Sequence, residues 1–481
     1  MKYLKGLTAA GVFAGLVAMH AWTPEPRPRA ALRGTVEAGA VRASAKPMRT
    51  AATTDTAGGY ALSLRSHLPL RYPLWQNIYG LDVVPGALAV HIGDFDLDAI
   101  EDLAAVVGPF DDDGSLRLVR WRGDAGGAFG ALAEIALHGA GTPTSHASVD
   151  IDRDGHRELV LARMTDLNDR STLQVLHLRG NALRIDTLDL DPSHGRVQAM
   201  APADVDRDGD LDLLALAMWR GSNGRDYRVS LLLARNTAGT LAIDAVRPLA
   251  DWIGSRPPWI SLAAGDFDAD GRVDAAVYWA AETTASDAGQ SQPDLGALQV
   301  LRGDGAGGFA AARTLATERD GVLAASLVAG DFDGDGGDDL AGVAPRDRQP
   351  HLAIFAQGVG GLAGTPRMLP STQLIDAATV RGHELIAADM DGDLRMDIVM
   401  RVWSPVDVIG LHRQAAGTFV YADIHARDHP AAPGARVGHL DGDACPDLVL
   451  ATADGLDIFG STRCPARRPP PLSAPLPPQQ G

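Results

Sequence analysis

The chain has 481 residues, 46% of them hydrophobic, which is enough for one large domain with a substantial core. Its formal charge of −18 argues against nucleic acid as the main partner, because binding phosphates requires a basic surface. Lys2, Lys5 and Lys46 are the only lysines, so a lysine nucleophile in the body of the chain is excluded.

Residues 1–21 have the form of an export signal: basic Lys2 and Lys5, an apolar stretch from Leu7 to Met19, then the small residues Ala18 and Ala21. An uncleaved anchor is the alternative, and the stretch is short for a membrane span. Residues 22–58 are rich in Pro, Ala, Arg and Thr and read as a flexible spacer. The expected location is secreted, periplasmic or cell-surface, with no transmembrane segment once the signal is removed.

From residue 59 to 464 one pattern returns seven times: acidic, apolar, Asp, any residue, Asp, usually Gly, two residues, acidic, then an apolar run. It starts at Asp94, Asp150, Asp204, Asp266, Asp331, Asp389 and His439, at intervals of 50 to 65 residues. Around each copy lie four short apolar stretches. The first unit shows them as ALAVHIG ending at Gly93, DLAAVV from Asp102, LRLVRW from Leu116 and FGALAEIAL from Phe129. Runs of four to eight residues bounded by Gly, Asp and Asn are strand signals. No window sustains a helical period. Four strands repeated seven times predicts an all-β, seven-bladed β-propeller of four-stranded blades, with the small-residue stretch before each acidic loop innermost.

The seventh unit has only LVLA and GLDIF after its loop. Residues 60–70 are expected to supply its missing fourth strand. Cys445 and Cys464, the only cysteines, are expected to form a disulfide in the same blade. Residues 465–481 are proline-rich and read as a disordered tail.

The repeated loop has the chemistry of a calcium site. Calcium takes six to eight oxygens, and carboxylates at positions 1, 3, 5 and 9 can surround it from one turn. The candidate ligands are Asp94, Asp96, Asp98 and Asp102; Asp150, Asp152, Asp154 and Glu158; and Asp204, Asp206, Asp208 and Asp212. They continue with Asp266, Asp268, Asp270 and Asp274; Asp331, Asp333, Asp335 and Asp339; Asp389, Asp391, Asp393 and Asp397; and Asp441, Asp443 and Asp447. These are 27 of the 61 acidic residues, so the negative charge is largely that of the loops. Glycine at position 6 allows the left-handed turn. Ala99 and Leu394 stand there in two loops, and His439 opens the last, so weaker binding is expected in those three. An EF-hand is excluded, because its closing acid stands at position 12 between helices. Extracellular calcium modules bind at about 10⁻⁴–10⁻³ M, so at millimolar calcium each site adds about 0.4–1.4 kcal/mol.

DFDGDGGDDLAGV, with LRGDGAGGF-type turns, resembles the FG-GAP/VCBS repeat family; integrin α-subunit propellers and some fungal fucose-binding lectins are built from similar repeats. The resemblance spans roughly residues 80–461. It implies the propeller, calcium between the first and second strands, and roles in adhesion or glycan recognition.

Trp219, Arg220, Trp252, Trp279 and Trp403 lie at or near variable loops on the other face and are the candidate ligand-binding residues, with packing between blades as the alternative. Two Arg-Gly-Asp triplets, at residues 122–124 and 302–304, fall where a turn is expected and are read as turn chemistry. HExxH, GxSxG and phosphate-cradling Gly-Lys motifs are missing. The expected function is an exported calcium-binding module for a glycan or protein ligand, and not an enzyme. The alternative is a calcium-dependent, lyase-like polysaccharide-degrading enzyme on the same scaffold.

Overall fold

A computed structural model describes residues 62–464, apart from 74, 77–81, 84, 111–114, 138–140, 165–170, 181, 254–258, 281–295, 318–325, 347–348, 371–381, 404–406, 416–417, 428–430, 453 and 462–463. The export signal, the spacer and the proline-rich tail lie outside the described residues. Among those described, the one helical element is the 3₁₀ turn Pro192–His194, and no helix is long and apolar enough to cross a membrane.

Seven four-stranded antiparallel sheets form the body. In blades one to six the strands pair in chain order. Blade one, for example, runs Gly86–Gly93, Asp102–Gly108, Leu116–Gly123 and Phe129–Leu137. The first strands are Gly86–Gly93, Pro143–Val149, Arg196–Ala203, Trp259–Gly265, Leu327–Gly330, Gly382–Ala388 and Ala431–Gly438. Each touches the next, and the last touches the first. These strands therefore make a closed inner ring, and the small residues expected at the centre are there.

Second strands lie between two neighbouring blades and are buried throughout, as in Asp102–Gly108, Glu158–Met164 and Asp274–Ala280. Their apolar runs do not alternate with polar residues because both faces meet a neighbouring sheet. The core is accordingly a series of inter-blade clusters. One joins Leu214, Leu216 and Leu231 of blade three to Val277, Trp279 and Leu301 of blade four.

Blade seven is assembled from both ends of the described chain. Its sheet order is Leu62–Pro69, Gly455–Ser461, Asp447–Thr452, Ala431–Gly438. The N-terminal strand pairs antiparallel with the last, from Leu62 opposite Ser461 to Pro69 opposite Gly455. This is the closure that the sequence predicts. Cys445 and Cys464 form a disulfide in the same blade, with 5.7 Å between their Cα atoms.

Candidate functional site: the acidic loops between first and second strands

Each of the seven acidic loops leaves the inner strand of its blade and enters the buried second strand. The apolar residue at position 2 anchors it. Phe95, Ile151, Val205, Phe267, Phe332, Met390 and Leu440 are all buried. Position 1 organises the turn by accepting backbone hydrogen bonds. Asp94 accepts from the N–H of Leu97 at 2.7 Å and Ala99 at 2.8 Å, Asp266 from Gly271 at 2.8 Å, and Asp389 from Leu394 at 2.8 Å. Position 5 accepts from position 7, as Asp270 does from Arg272 at 3.0 Å.

The backbone is left-handed at position 6 in Gly155, Gly209, Gly271 and Gly336, as the pattern requires. It is equally left-handed at Ala99 and Leu394, both at φ 67°. These two departures from glycine therefore leave the loop conformation unchanged. Position 4 is left-handed as well, at Leu97, Arg153, Arg207, Ala269, Gly334, Gly392 and Gly442, a requirement not visible in the repeat pattern.

Position 9 is a backbone staple. One of its carboxylate oxygens accepts from the position 2 N–H: Phe95 to Asp102 at 3.1 Å, Ile151 to Glu158 at 2.9 Å, Val205 to Asp212 at 3.2 Å and Phe267 to Asp274 at 3.2 Å. The same bond joins Phe332 to Asp339 at 3.0 Å, Met390 to Asp397 at 3.0 Å and Leu440 to Asp447 at 2.9 Å. The other oxygen accepts from the end of the third strand or the residues just after it: Gly123 on Asp102 at 2.8 Å, Asn236 on Asp212 at 2.8 Å, Gly303 on Asp274 at 2.9 Å and Gln357 on Asp339 at 2.6 Å. All seven acids are buried. Burial pushes Asp274, Asp339 and Asp447 up to about 6, because the charged form has lost its water.

The remaining carboxylates converge. One oxygen each from Asp94, Asp96 and Asp102 lie within 4.8 Å of one another, as do those of Asp150, Asp152 and Asp154 and those of Asp204, Asp206 and Asp212. Buried oxygens of Asp96, Asp150, Asp204 and Asp268 have no hydrogen-bond partner. Buried polar atoms are normally satisfied, so these four fit a cation's coordination shell.

Sequence reasoning missed a set of arginines. Antiparallel pairing puts a third-strand residue over each loop. Arg122 meets Asp96 at 2.7 Å and Asp98 at 2.8 Å, Arg235 meets Asp206, and Arg302 meets Asp268 at 3.0 Å. The same register position is Ala356 in blade five and Gly460 in blade seven. A side chain at Gly460 would collide with Arg65, which arrives from the N-terminal strand and meets Asp441, Asp443 and Asp447. The closing strand thus supplies the guanidinium that its blade lacks.

Neighbouring loops are joined to one another. The Gly180 N–H reaches the Phe95 carbonyl at 2.5 Å, Asn236 Nδ2 the Ile151 carbonyl at 2.7 Å, and the Gly307 N–H the Val205 carbonyl at 3.3 Å. At the ring closure the His439 N–H donates to Glu101 of blade one at 2.5 Å. The acidic loops therefore sit on blade junctions.

Both Arg-Gly-Asp triplets are structural. Asp124 caps its turn through the N–H groups of Gly126 and Ala128, Asp304 does so through Ala306 and Gly308, and the arginines face the acidic loops. On the opposite face, Trp219 is half-buried with the Arg228 guanidinium 5.9 Å from its ring, and Arg228 pairs with Asp251 at 2.7 Å. Arg220 is exposed beside them. Trp279 is only 8% exposed and packs in the core between blades three and four, so it is not a surface ligand residue. The side chains of Trp252 and Trp403 lie outside the described residues.

A search of curated protein sequences finds no significant match. Among solved structures, the chain is similar to the exotype rhamnogalacturonan lyase YesX at 15% identity, covering 82% of this chain and 75% of that one, with a TM-score of 0.46. It is similar to the Bacillus licheniformis rhamnogalacturonan lyase PL11 at 15% identity over the same shares, with a TM-score of 0.45. It is similar to the Dos1 propeller at 10% identity, covering 83% and 82%, with a TM-score of 0.43. Residues 94–161 and 150–215 match the FG-GAP-like repeat, each match running from one acidic loop through the next. The chain is a seven-bladed β-propeller, and the FG-GAP-like matches fall within its first three blades.

Proposed function

We propose that this chain is an exported propeller whose ring is fastened by calcium at the blade junctions and whose opposite face binds a glycan or protein ligand. The observation that carries the calcium reading is the set of buried, unpartnered oxygens on Asp96, Asp204 and Asp268, each in an acidic loop. The ion would supply the charge that these groups face, and the loops would hold it through positions 1, 3 and 5. Position 9 would add a lone pair beyond those used by the backbone. Blade five is the most accessible site, because Ala356 puts no guanidinium over Asp331, Asp333 and Asp335. The second loop, which His177 of the third strand faces, is a separate case. The disulfide between Cys445 and Cys464 supports an oxidising compartment outside the cytoplasm.

The ligand surface would lie at the end of blade three, around Trp219, Arg220, Arg228 and Asp251. An aromatic ring flanked by an exposed cation and an acid suits a sugar ring or a polar peptide.

Calcium added to chelator-stripped protein tests the first part. Thermal unfolding should shift upward in millimolar calcium, and isothermal titration should show several equivalents bound. No shift and no heat at about 10⁻² M calcium, well above the range of extracellular modules, refutes it. A glycan array probed with wild type and Trp219→Ala tests the second. Binding that is unchanged in the variant places the ligand elsewhere.

A further inference from the structure

Blade two departs from the others where the third strand crosses its acidic loop. Strand register pairs Leu176 with Leu159, so His177 occupies the position held by Arg122, Arg235 and Arg302 in blades one, three and four. The exchange changes the chemistry. A guanidinium is always protonated and has no lone pair to give, whereas an imidazole nitrogen is a metal ligand.

The His177 ring is held in an orientation suited to that role. It is 5% exposed. Its Nε2 lies 3.1 Å from Asp186 Oδ2, and Arg184 Nη2 contacts both, at 2.9 Å from the ring nitrogen and 3.1 Å from the same Asp186 oxygen. Arg184 and Asp186 together fill the Nε2 side of the ring and leave Nδ1 as the nitrogen open to a metal. Nδ1 is buried without a hydrogen-bond partner and faces the loop, 3.4 Å from Glu158 Oε1 and 3.6 Å from Asp152 Oδ2. One atom of each of the three residues lies within 4.8 Å of the others. Ligands about 2.1 Å from a tetrahedral ion stand about 3.4 Å apart, so these separations match an ion between the three groups. A carboxylate bonded to the far nitrogen is the usual support of a metal-bound histidine. Arg179 takes the outer part of the loop, pairing with Asp154 and approaching Glu158 Oε1 at 3.2 Å.

We propose that His177, Glu158 and Asp152 form a site for a first-row transition ion, with zinc as the best fit, distinct from the all-oxygen loops of the other blades. Imidazole favours such ions, whereas calcium selects oxygen alone. The site stands whether or not the other loops hold calcium.

The test is zinc titration of the full chain, stripped of metal and held in about 10 mM calcium to fill the oxygen sites. Wild type should bind one tight equivalent of zinc, and cobalt in its place should give visible absorption bands in the range of nitrogen-ligated ions. His177→Gln should lose that equivalent. Asp186→Asn, which leaves all three ligands in place, should weaken it about 10- to 100-fold and serves as the reporter should the first variant fail to fold. Absence of a tight equivalent in wild type overturns the proposal. So does its retention in His177→Gln, or an Asp186→Asn affinity within about threefold of wild type.

Discussion

Replacing Asp339 by Ala separates the two jobs given to the carboxylates of an acidic loop. Asp339 is fully buried and accepts from the N–H groups of Phe332 at 3.0 Å and Gln357 at 2.6 Å. Alanine removes the acceptor from both, at about 1–3 kcal/mol for each donor left unmade, or about 2–6 kcal/mol in all. The charge works in the opposite direction. Burial raises the Asp339 carboxyl to about 6, above the ordinary value of about 3.9 that it regains on unfolding. A raised carboxylate binds its proton more tightly in the fold, so its stabilising contribution is complete below about pH 4 and declines as pH rises through about 6. The loss in Asp339→Ala should therefore be larger at pH 5 than at pH 7.5, by about 1 kcal/mol. Asp333→Ala is the control. It removes a position 3 carboxylate of the same loop, and without calcium its cost should be under about 1 kcal/mol. Urea unfolding in chelator at both pH values reads all of these quantities. A staple role for Asp339 is refuted if Asp339→Ala is within about 1 kcal/mol of wild type at pH 5, or if Asp333→Ala costs as much.

Three further expectations follow from the same geometry. Leu394 is 93% exposed at φ 67°, so Leu394→Gly should raise stability by about 0.5–1 kcal/mol in urea unfolding, since it relieves backbone strain and gives up little packing. Arg65→Ala should cost about 1–2 kcal/mol in chelator, because the guanidinium is partly exposed while Asp447 is buried, and added calcium should recover part of the loss. Replacing Cys445 and Cys464 together by Ser opens a short covalent loop and should cost about 3 kcal/mol under oxidising conditions, with no difference from wild type once both are reduced.

The repeat was legible because its spacing is local. Asp at positions 1, 3 and 5 and an acid at position 9 all fall within nine residues, and an apolar run must follow where the second strand is buried on both faces. Seven copies fixed the number of blades. The strands missing from the last unit, together with the apolar segment near Leu62, pointed to closure by the N-terminal strand. Two cysteines left one intramolecular pairing.

What the carboxylates face was decided by tertiary structure. Position 9 becomes a staple only when the third strand, some twenty residues later, is in register above it, as Gly123 is over Asp102. The same register places Arg122, Arg235 and Arg302 on three loops and His177 on another, and no spacing rule within the loop reveals which residue arrives. Arg65 and Gly460 are 395 residues apart, yet one fills the space that the other leaves, because ring closure brings the two ends of the described chain into one sheet. Trp279 likewise reads as a surface aromatic beside a variable loop until the neighbouring blade covers it. Local spacing determined where the acidic loops lie. Packing of distant strands determined that they sit on the blade junctions, and which side chain each of them meets.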